Sequence, residues 1–172
     1  MGGTMKNLLV VFILIFSAKA MACTYRTSTT SMSAYQIEDE AKSQKIVLCV
    51  DSDDFYSFQL EDIVEAGATL RIFADKVNLY PFQIEDFAEA GRVAIVVGKK
   101  DYYSFQLEDF MEVGARIRIR TSLTDLYPFQ LEDIAEKGSG GWNRLVLVVD
   151  DEKFYSFQLE DIEEAGAKLV YR

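Results

Sequence analysis

The sequence predicts an α/β fold in which short strand–loop–helix units follow one another along the chain. A tetrad, Gln-(Leu/Ile)-Glu-Asp, recurs six times, and strand-like apolar segments separate its copies. Without an insertion at 139–143, the period is a 47-residue pair of units that is present three times. The tetrads begin at Gln36, Gln59, Gln83, Gln106, Gln130 and Gln158, with spacings of 23, 24, 23, 24 and 28 residues.

The first 22 residues predict a secretory signal peptide. A positive charge precedes the apolar run "LLVVFILIF", and small-residue cleavage sites end at Ala20 or Ala22. The run is too short to span a membrane. A polar segment, 23–34, then leads into a single domain, 35–172, built of units of about 24 residues. We therefore expect an exported protein, either periplasmic or secreted.

The two cysteines, Cys23 and Cys49, allow two predictions that exclude each other. In an oxidising compartment they are expected to form a disulfide that ties the N-terminal segment to the first predicted strand. A cysteine at the cleavage site also fits bacterial lipoprotein processing, in which Cys23 carries the lipid. Apart from signal processing, that lipid is the only predicted contact with a membrane.

The recurring phrase predicts a short helix in each unit. Leu60, Ile63 and Val64 form one apolar face at helical spacing. Ser is expected as an N-cap and Pro as a first helical residue, while Glu and Asp suit the positive end of the helix dipole. The expected helix starts are Ser57, Pro81, Ser104, Pro128 and Ser156. The expected left-handed glycine caps are Gly67, Gly91, Gly114, Gly138 and Gly166.

Two kinds of strand alternate along the chain, one apolar on both faces and one with alternating polarity. A strand joined through a helix to the next strand makes a right-handed parallel crossover. We therefore predict a short right-handed, solenoid-like repeat of six units, with a parallel sheet on one face and helices on the other. Strands apolar on both faces also fit the alternative, a compact doubly wound or pseudo-threefold α/β domain. The apolar strands are 46–50, 93–97 and 145–149, and the alternating strands are 70–74, 117–121 and 169–172.

The sheet face turned away from the helices is the predicted interaction surface. Valines on this face would form exposed apolar patches, which usually mark an interface. Arginines between them offer an anion or an acidic partner a place to bind. In the alternative interpretation, the same chain covers this face. The candidate interface residues are Val47, Arg71, Val96, Arg118, Arg120, Val146 and Val148, together with Trp142 in the insertion.

Other repeated features have structural interpretations that we favour. The tetrads could line up to collect Ca²⁺, but they are better explained by glutamines that bond between neighbouring units and acids that serve helix ends. Asp51 to Asp54 are expected to form a solvated turn. The paired aromatics Phe55–Tyr56, Tyr102–Tyr103 and Phe154–Tyr155 could stack on sugars, but their recurrence favours packing at the helix starts.

The composition of the chain excludes some classes of function. The chain has no histidine, which removes Ser-His and Cys-His catalysis. Without Lys6 and Lys19 of the signal peptide, 16 basic residues face 28 acidic ones, which argues against nucleic acid and anionic membranes as partners. We predict an exported, non-catalytic repeat protein that binds a protein partner or its own copy, with no cofactor and no metal site. The alternative is a binder of an anionic or glycan ligand, and a hydrolase comes last.

Overall fold

The computed structural model describes residues 22–98, 102–138, 141–142 and 144–172. These residues form seven β-strands and six α-helices. Except for Ala22, the predicted signal peptide lies outside the described residues. Within the described ranges, no helix combines the length and the apolar character that crossing a bilayer requires.

The seven strands form one parallel sheet in which each strand lies next to its neighbours in the chain, from β1 to β7. This confirms the predicted α/β fold with a parallel sheet. A doubly wound sheet reverses its strand order at a switch point, and this sheet has no reversal, so the doubly wound alternative is wrong. The strands are β1 Tyr25–Arg26, β2 Val47–Val50, β3 Thr69–Phe73, β4 Arg92–Val97, β5 Arg116–Arg120, β6 Leu145–Val149 and β7 Lys168–Tyr171.

The six helices are short, and each one contacts the next helix in the chain. Helices of this length are marginal alone in water, so packing must hold them. The helices are α1 Ala34–Ala41, α2 Ser57–Glu65, α3 Pro81–Ala90, α4 Ser104–Glu112, α5 Pro128–Glu136 and α6 Ser156–Glu164; single 3₁₀ turns follow β3 and β5 at Ala74–Lys76 and Thr121–Leu123.

The helices start where the sequence predicts, but serine is not their N-cap. In α2 the N-cap is Tyr56, and Ser57 takes the same first helical position that proline takes in α3 and α5. The acids of the tetrad are also one turn later than expected, because the first turn of these helices contains none. Only α1 has a serine N-cap, Ser33, whose Oγ accepts the N–H of Gln36.

Glycine is required after the helices for two different reasons, a left-handed backbone in some positions and close packing in another. Gly67, Gly114 and Gly166 have φ values of 104° to 113°, in the left-handed region that favours glycine, as predicted. Gly91 has a φ of 179°, so a left-handed cap is wrong there. A Cβ at Gly91 would lie 2.9 Å from Cγ2 and 3.0 Å from the carbonyl oxygen of Val64, so close packing requires glycine.

The hydrophobic core lies between the helices and one face of the sheet. Alternate strand residues face the helices and stand side by side in the register, as in the row Ile95, Ile117 and Leu145. They pack with the apolar helix residues, including Phe87 and Phe110, in a single buried cluster. Among the described residues, no helix covers the opposite face of the sheet.

A disulfide between Cys23 and Cys49 anchors the start of the chain to β2, with the Cα atoms 5.5 Å apart. Of the two predictions for Cys23, the structure therefore has the disulfide. The backbone N–H groups of Thr24 and Thr27 donate to the carbonyls of Val47 and Cys49. These bonds make β1 a short edge strand in the segment 23–34, for which the sequence predicted no strand.

Candidate functional site on the basic face of the sheet

Charge is separated between the two layers of the fold. Each of the first five helices contains three carboxylates and the sixth contains four, and none of the helices contains a lysine or arginine. The strands contain no carboxylate. Their seven basic residues are Arg26, Arg71, Arg92, Arg116, Arg118, Arg120 and Lys168.

The strand residues that point away from the helices form what we call the basic face. Arg71 lies between Cys49 and Ala94 in the register, and Arg116 lies next to Ala94. One row further along, Val96, Arg118, Val146 and Lys168 are neighbours. A third row contains Arg120, Val148 and Val170. Because neighbouring strands are about 4.8 Å apart, adjacent side chains in these rows touch.

The structure brings the predicted interface residues onto this one face. Val47, Arg71, Val96, Arg118, Arg120, Val146 and Val148 belong to it through the strand register. Trp142, in the inserted loop, joins them because its ring lies 5.5 Å from the guanidinium of Arg92 and 5.6 Å from that of Arg116. Such contacts are favourable cation–π interactions.

The valines do not form the exposed apolar patch that the sequence analysis expected. Val148 is fully buried and Val146 is 3% exposed, although neither belongs to the core under the helices. Val47 and Val96 are half-buried. In the register, Val146 lies between Arg118 and Lys168, and Val148 lies between Arg120 and Val170. The aliphatic stems of the two arginines and the lysine are long enough to cover apolar surface while the charged ends remain in water. The face therefore offers charge, with the apolar residues beneath it.

The arginines repel one another on this face. Burial, followed by the charges of Arg26 and Arg116, lowers the pKa of Arg71. Burial and the charges of Arg172, Arg71 and other neighbouring arginines lower the pKa of Arg118 in the same way. Burial is the larger cause of both shifts, and the neighbouring positive charges add to it; arginine nevertheless stays protonated at any physiological pH.

An aromatic ring stabilises part of this charge. The ring of Phe73 lies 5.3 Å from the guanidinium of Arg71, 5.9 Å from that of Arg26 and 5.8 Å from the ammonium of Lys76. Two donors near Trp142 are unsatisfied, because Trp142 Nε1 and Arg144 Nε are buried without a hydrogen-bond partner among the described residues. An anionic acceptor at this face would meet positive charge, and the two buried donors lie close to this face in the chain.

A second surface was missed by the sequence analysis. Each of the last five helices starts with a tyrosine and a phenylalanine two residues later, whose rings are parallel within 6–8° and have centroids 5.7–5.9 Å apart. Their exposure ranges from 56% to 72%. We call these pairs the aromatic ladder: Tyr56–Phe58, Tyr80–Phe82, Tyr103–Phe105, Tyr127–Phe129 and Tyr155–Phe157.

A signal for the ladder was present in the sequence. Phe58 lies two residues before Leu60 and therefore falls off the apolar helix face of Leu60, Ile63 and Val64. The expectation that the paired aromatics pack at the helix starts holds for the first residue of each pair. Phe55 and Tyr102 pack against the core, whereas Tyr56 and Tyr103 are exposed.

The remaining repeated features hold the units together. In every tetrad the glutamine caps its own helix, and Gln130 also donates to Ser104 Oγ of the neighbouring unit at 3.2 Å. Asp53 accepts hydrogen bonds from the backbone and side chain of Asn78 in the next unit. Within the described ranges, no cluster of three or more acidic or cysteine side chains is placed to hold a metal ion.

Comparison with known proteins adds no assignment: no protein-family model matches this chain, and no curated protein is significantly similar to it. The function must therefore be inferred from the two surfaces.

Proposed function

We propose that this chain is an exported, non-catalytic protein that binds an acidic segment of a partner protein on the basic face. One observation carries the proposal: a strongly acidic chain collects the positive charge of its strands on the one sheet face that no helix covers among the described residues. Electrostatic complementarity of this kind speeds association and selects the partner. The absence of histidine from the sequence supports a non-catalytic role.

We also propose that the six units stack as a short right-handed solenoid. The chain-order sheet and the contacts between successive helices support this arrangement. Neighbouring strands are about 4.8 Å apart and packed helices are about 8–10 Å apart, so the helix layer needs more length than the sheet. The sheet then curves inwards, and the basic face becomes a concave surface suited to an extended partner segment.

Export is part of the proposal. The disulfide between Cys23 and Cys49 is compatible with an oxidising compartment, and the predicted signal peptide would direct the chain there. The mass of the purified mature protein distinguishes the cleavage sites after Ala20 and Ala22. The same spectrum tests lipidation, since a mass increase equal to acyl chains would replace the disulfide by a membrane anchor.

Binding to an acidic peptide tests the basic face. We expect a labelled oligo-glutamate peptide to bind the mature protein, as followed by fluorescence anisotropy, with an affinity that falls as salt rises. The double variant Arg118→Gln/Arg120→Gln should weaken binding about tenfold, because each lost charge removes a favourable contact.

The matched control is Lys42→Gln/Lys137→Gln, which lowers the net charge equally on the helix side, where these lysines pair with Glu38 and Glu112. This control should bind like the wild type. Equal binding by both double variants, or no binding by the wild type, would contradict the proposal.

The acidic partner can also be a second copy of this chain, because the helices supply the carboxylates. Size-exclusion chromatography with light scattering distinguishes a second copy of this chain from a different protein as the partner. A dimer or larger assembly that Arg118→Gln/Arg120→Gln dissociates identifies self-association. A monomer that still binds oligo-glutamate identifies a different protein as the partner.

A small anion is the second candidate, favoured by the unsatisfied donors of Trp142 and Arg144. An anion that binds only the folded state raises the melting temperature by mass action. A thermal shift produced by phosphate or citrate, and abolished by Trp142→Phe, would favour this candidate over the protein partner.

A further inference from the structure

We propose that the aromatic ladder binds an extended neutral glycan of the β-1,4-linked type. This site is separate from the basic face, because the ladder follows the N-terminal ends of the helices. Its ten rings lie in five parallel pairs, and every ring is more than half exposed. Exposed apolar surface of this extent usually marks a binding site.

Folding does not require these rings to be aromatic. Tyr80 caps α3 through its backbone: its N–H donates to Gln83 Oε1 at 2.8 Å, and its carbonyl accepts the N–H of Gln83 at 3.0 Å. The side chain of Tyr80 is 66% exposed and makes no cap bond. Any residue able to adopt this extended backbone would serve the helix equally well.

The ladder is also constant where its surroundings differ. Ser57 and Pro81 alternate between the two rings of a pair, and the loops before the pairs read "DSDD", "GKKD" and "DDEK". The Tyr and Phe of the pair are nevertheless identical in all five copies. A common role for the exposed rings explains this better than their contribution to packing does.

The ring pairs follow one another from helix to helix. Successive helices are in contact, and contacting helices lie about 8–10 Å apart, so neighbouring ring pairs are separated by a similar distance. This is comparable to the length of a disaccharide in an extended chain. A periodic polymer can therefore contact successive pairs in register, and many weak contacts then add up to useful affinity.

A groove connects two of the pairs. It has a volume of about 720 Å³, and Tyr103, Phe105 and Tyr127 are among the residues that line it. Ser104, Asp125 and Gln130 add polar groups that can bond hydroxyls. This combination of flat apolar surfaces with a few polar groups suits a pyranose ring, which presents C–H groups on its faces and hydroxyls around its edge.

Charge selects among polymers. Behind the ladder, every helix contains at least three carboxylates and no basic residue, so an acidic polysaccharide or a nucleic acid would be repelled. A second copy of the ladder would bring equally acidic helices and be repelled in the same way. A neutral chain avoids this cost. The β-1,4 linkage keeps such a chain extended, whereas the α-1,4 linkage coils it.

Isothermal titration calorimetry with cellohexaose, xylohexaose and chitohexaose tests the proposal on the mature chain. We expect at least one of them to bind, with cellobiose and maltohexaose binding more weakly. The variant Tyr103→Ala/Tyr127→Ala should lose about tenfold in affinity, because two stacking rings are removed. Both rings are exposed, so the variant should keep the urea-unfolding midpoint of the wild type.

The matched control is Tyr171→Ala, which removes a ring that is 69% exposed but lies in β7, outside the ladder. It should bind like the wild type, as should Arg118→Gln/Arg120→Gln, so that failure here is distinguishable from failure of the basic face. The proposal is overturned if none of the three hexasaccharides binds, or if the ladder variant binds as well as the Tyr171 control. Preferential binding of hexagalacturonate or of a proline-rich peptide would overturn it too.

Discussion

At the scale of single residues, the glutamine of each of the last five tetrads completes a helix start that lacks a side-chain cap. Tyrosine at the N-cap has no acceptor that can reach the first helical N–H groups. The N–H of Gln83 donates to the carbonyl of Tyr80, and the side-chain Oε1 of Gln83 accepts the N–H of Tyr80. This is one half of a capping box, and it explains why glutamine recurs in all six tetrads.

We expect Gln83→Ala to lower the free energy of unfolding by about 1 kcal/mol, because the N–H of Tyr80 loses its acceptor. Gln83→Glu should retain most of the stability, since a carboxylate accepts the same bond and suits the helix N-terminus. Urea unfolding followed by circular dichroism measures both variants. Gln44→Ala, in an exposed position after α1, is the control; a loss as large as that of Gln83→Ala would argue against the capping role.

At the scale of elements, β1 depends on the disulfide more than on its own pairing. It is only two residues long and lies at the edge of the sheet. Few backbone hydrogen bonds hold it to β2, so its register depends on the covalent link between Cys23 and Cys49. The buried side chain of Thr27 adds a polar link, because it accepts the N–H of Asp51 at 3.0 Å.

Removing the disulfide between Cys23 and Cys49 should destabilise the whole chain. We expect Cys23→Ala/Cys49→Ala to lower the free energy of unfolding by about 3 kcal/mol, because a cross-link between residues 26 positions apart restricts the unfolded chain. Hydrogen exchange should show faster exchange at Thr24 and Thr27. Reductant should destabilise the wild type and leave the double variant unchanged; an equal response of the two would refute the role of the disulfide.

At the scale of the whole molecule, the charge separation that defines the basic face has a cost in the helix layer. Carboxylates on neighbouring helices repel one another across the contacts between α3 and α4. Burial, followed by the charges of Asp109, Asp86 and Glu89, raises the pKa of Glu85. A carboxyl with a raised pKa in the folded state destabilises the fold when ionised, and this cost disappears as the pH falls through that pKa.

We therefore expect Glu85→Gln to stabilise the protein at pH 7. The gain should be about 0.3 kcal/mol, because solvent screens charges near the surface. It should shrink as the pH is lowered towards the ordinary glutamate range, where Glu85 is protonated in the wild type. Urea unfolding across this pH range measures the effect. Glu152→Gln removes the same charge from an exposed loop, and an equal gain there would exclude repulsion in the helix layer as the cause.

The period of the tetrad was enough to predict the parallel sheet and the starts of the helices, because each unit contains its own strand pattern and apolar helix face. Local chemistry was harder to predict. Serine at the first position of α2 looked like an N-cap, but the cap falls on Tyr56. Gly91 looked like a left-handed cap, but the carbonyl of Val64, in a neighbouring unit, is what requires glycine there. Such contacts join residues far apart in the sequence.

The same limit applies to the candidate sites. Alternation along the strands placed Arg71, Arg118 and Arg120 on one face, but it gave no information on how deeply Val146 and Val148 are buried there. It also gave no reason to place Trp142 between Arg92 and Arg116, since an inserted loop has no period to follow. The aromatic ladder was missed because tyrosines were paired with the aromatic residue before them, as in Phe55–Tyr56, whereas the partner of each is the phenylalanine two residues later, as in Tyr56–Phe58.

Apart from β1, which lies before the first tetrad and was not predicted, the sequence by itself determined the order, type and spacing of the strands and helices and the sign of the charge on each. These follow from periodicity and composition, which act over neighbouring residues. Only the tertiary structure decided which side chains are exposed, because the burial of a side chain depends on the neighbouring unit that packs against it. That is why the covered valines, the partners of Trp142 and the exposed rings of the ladder emerge only when the units are assembled.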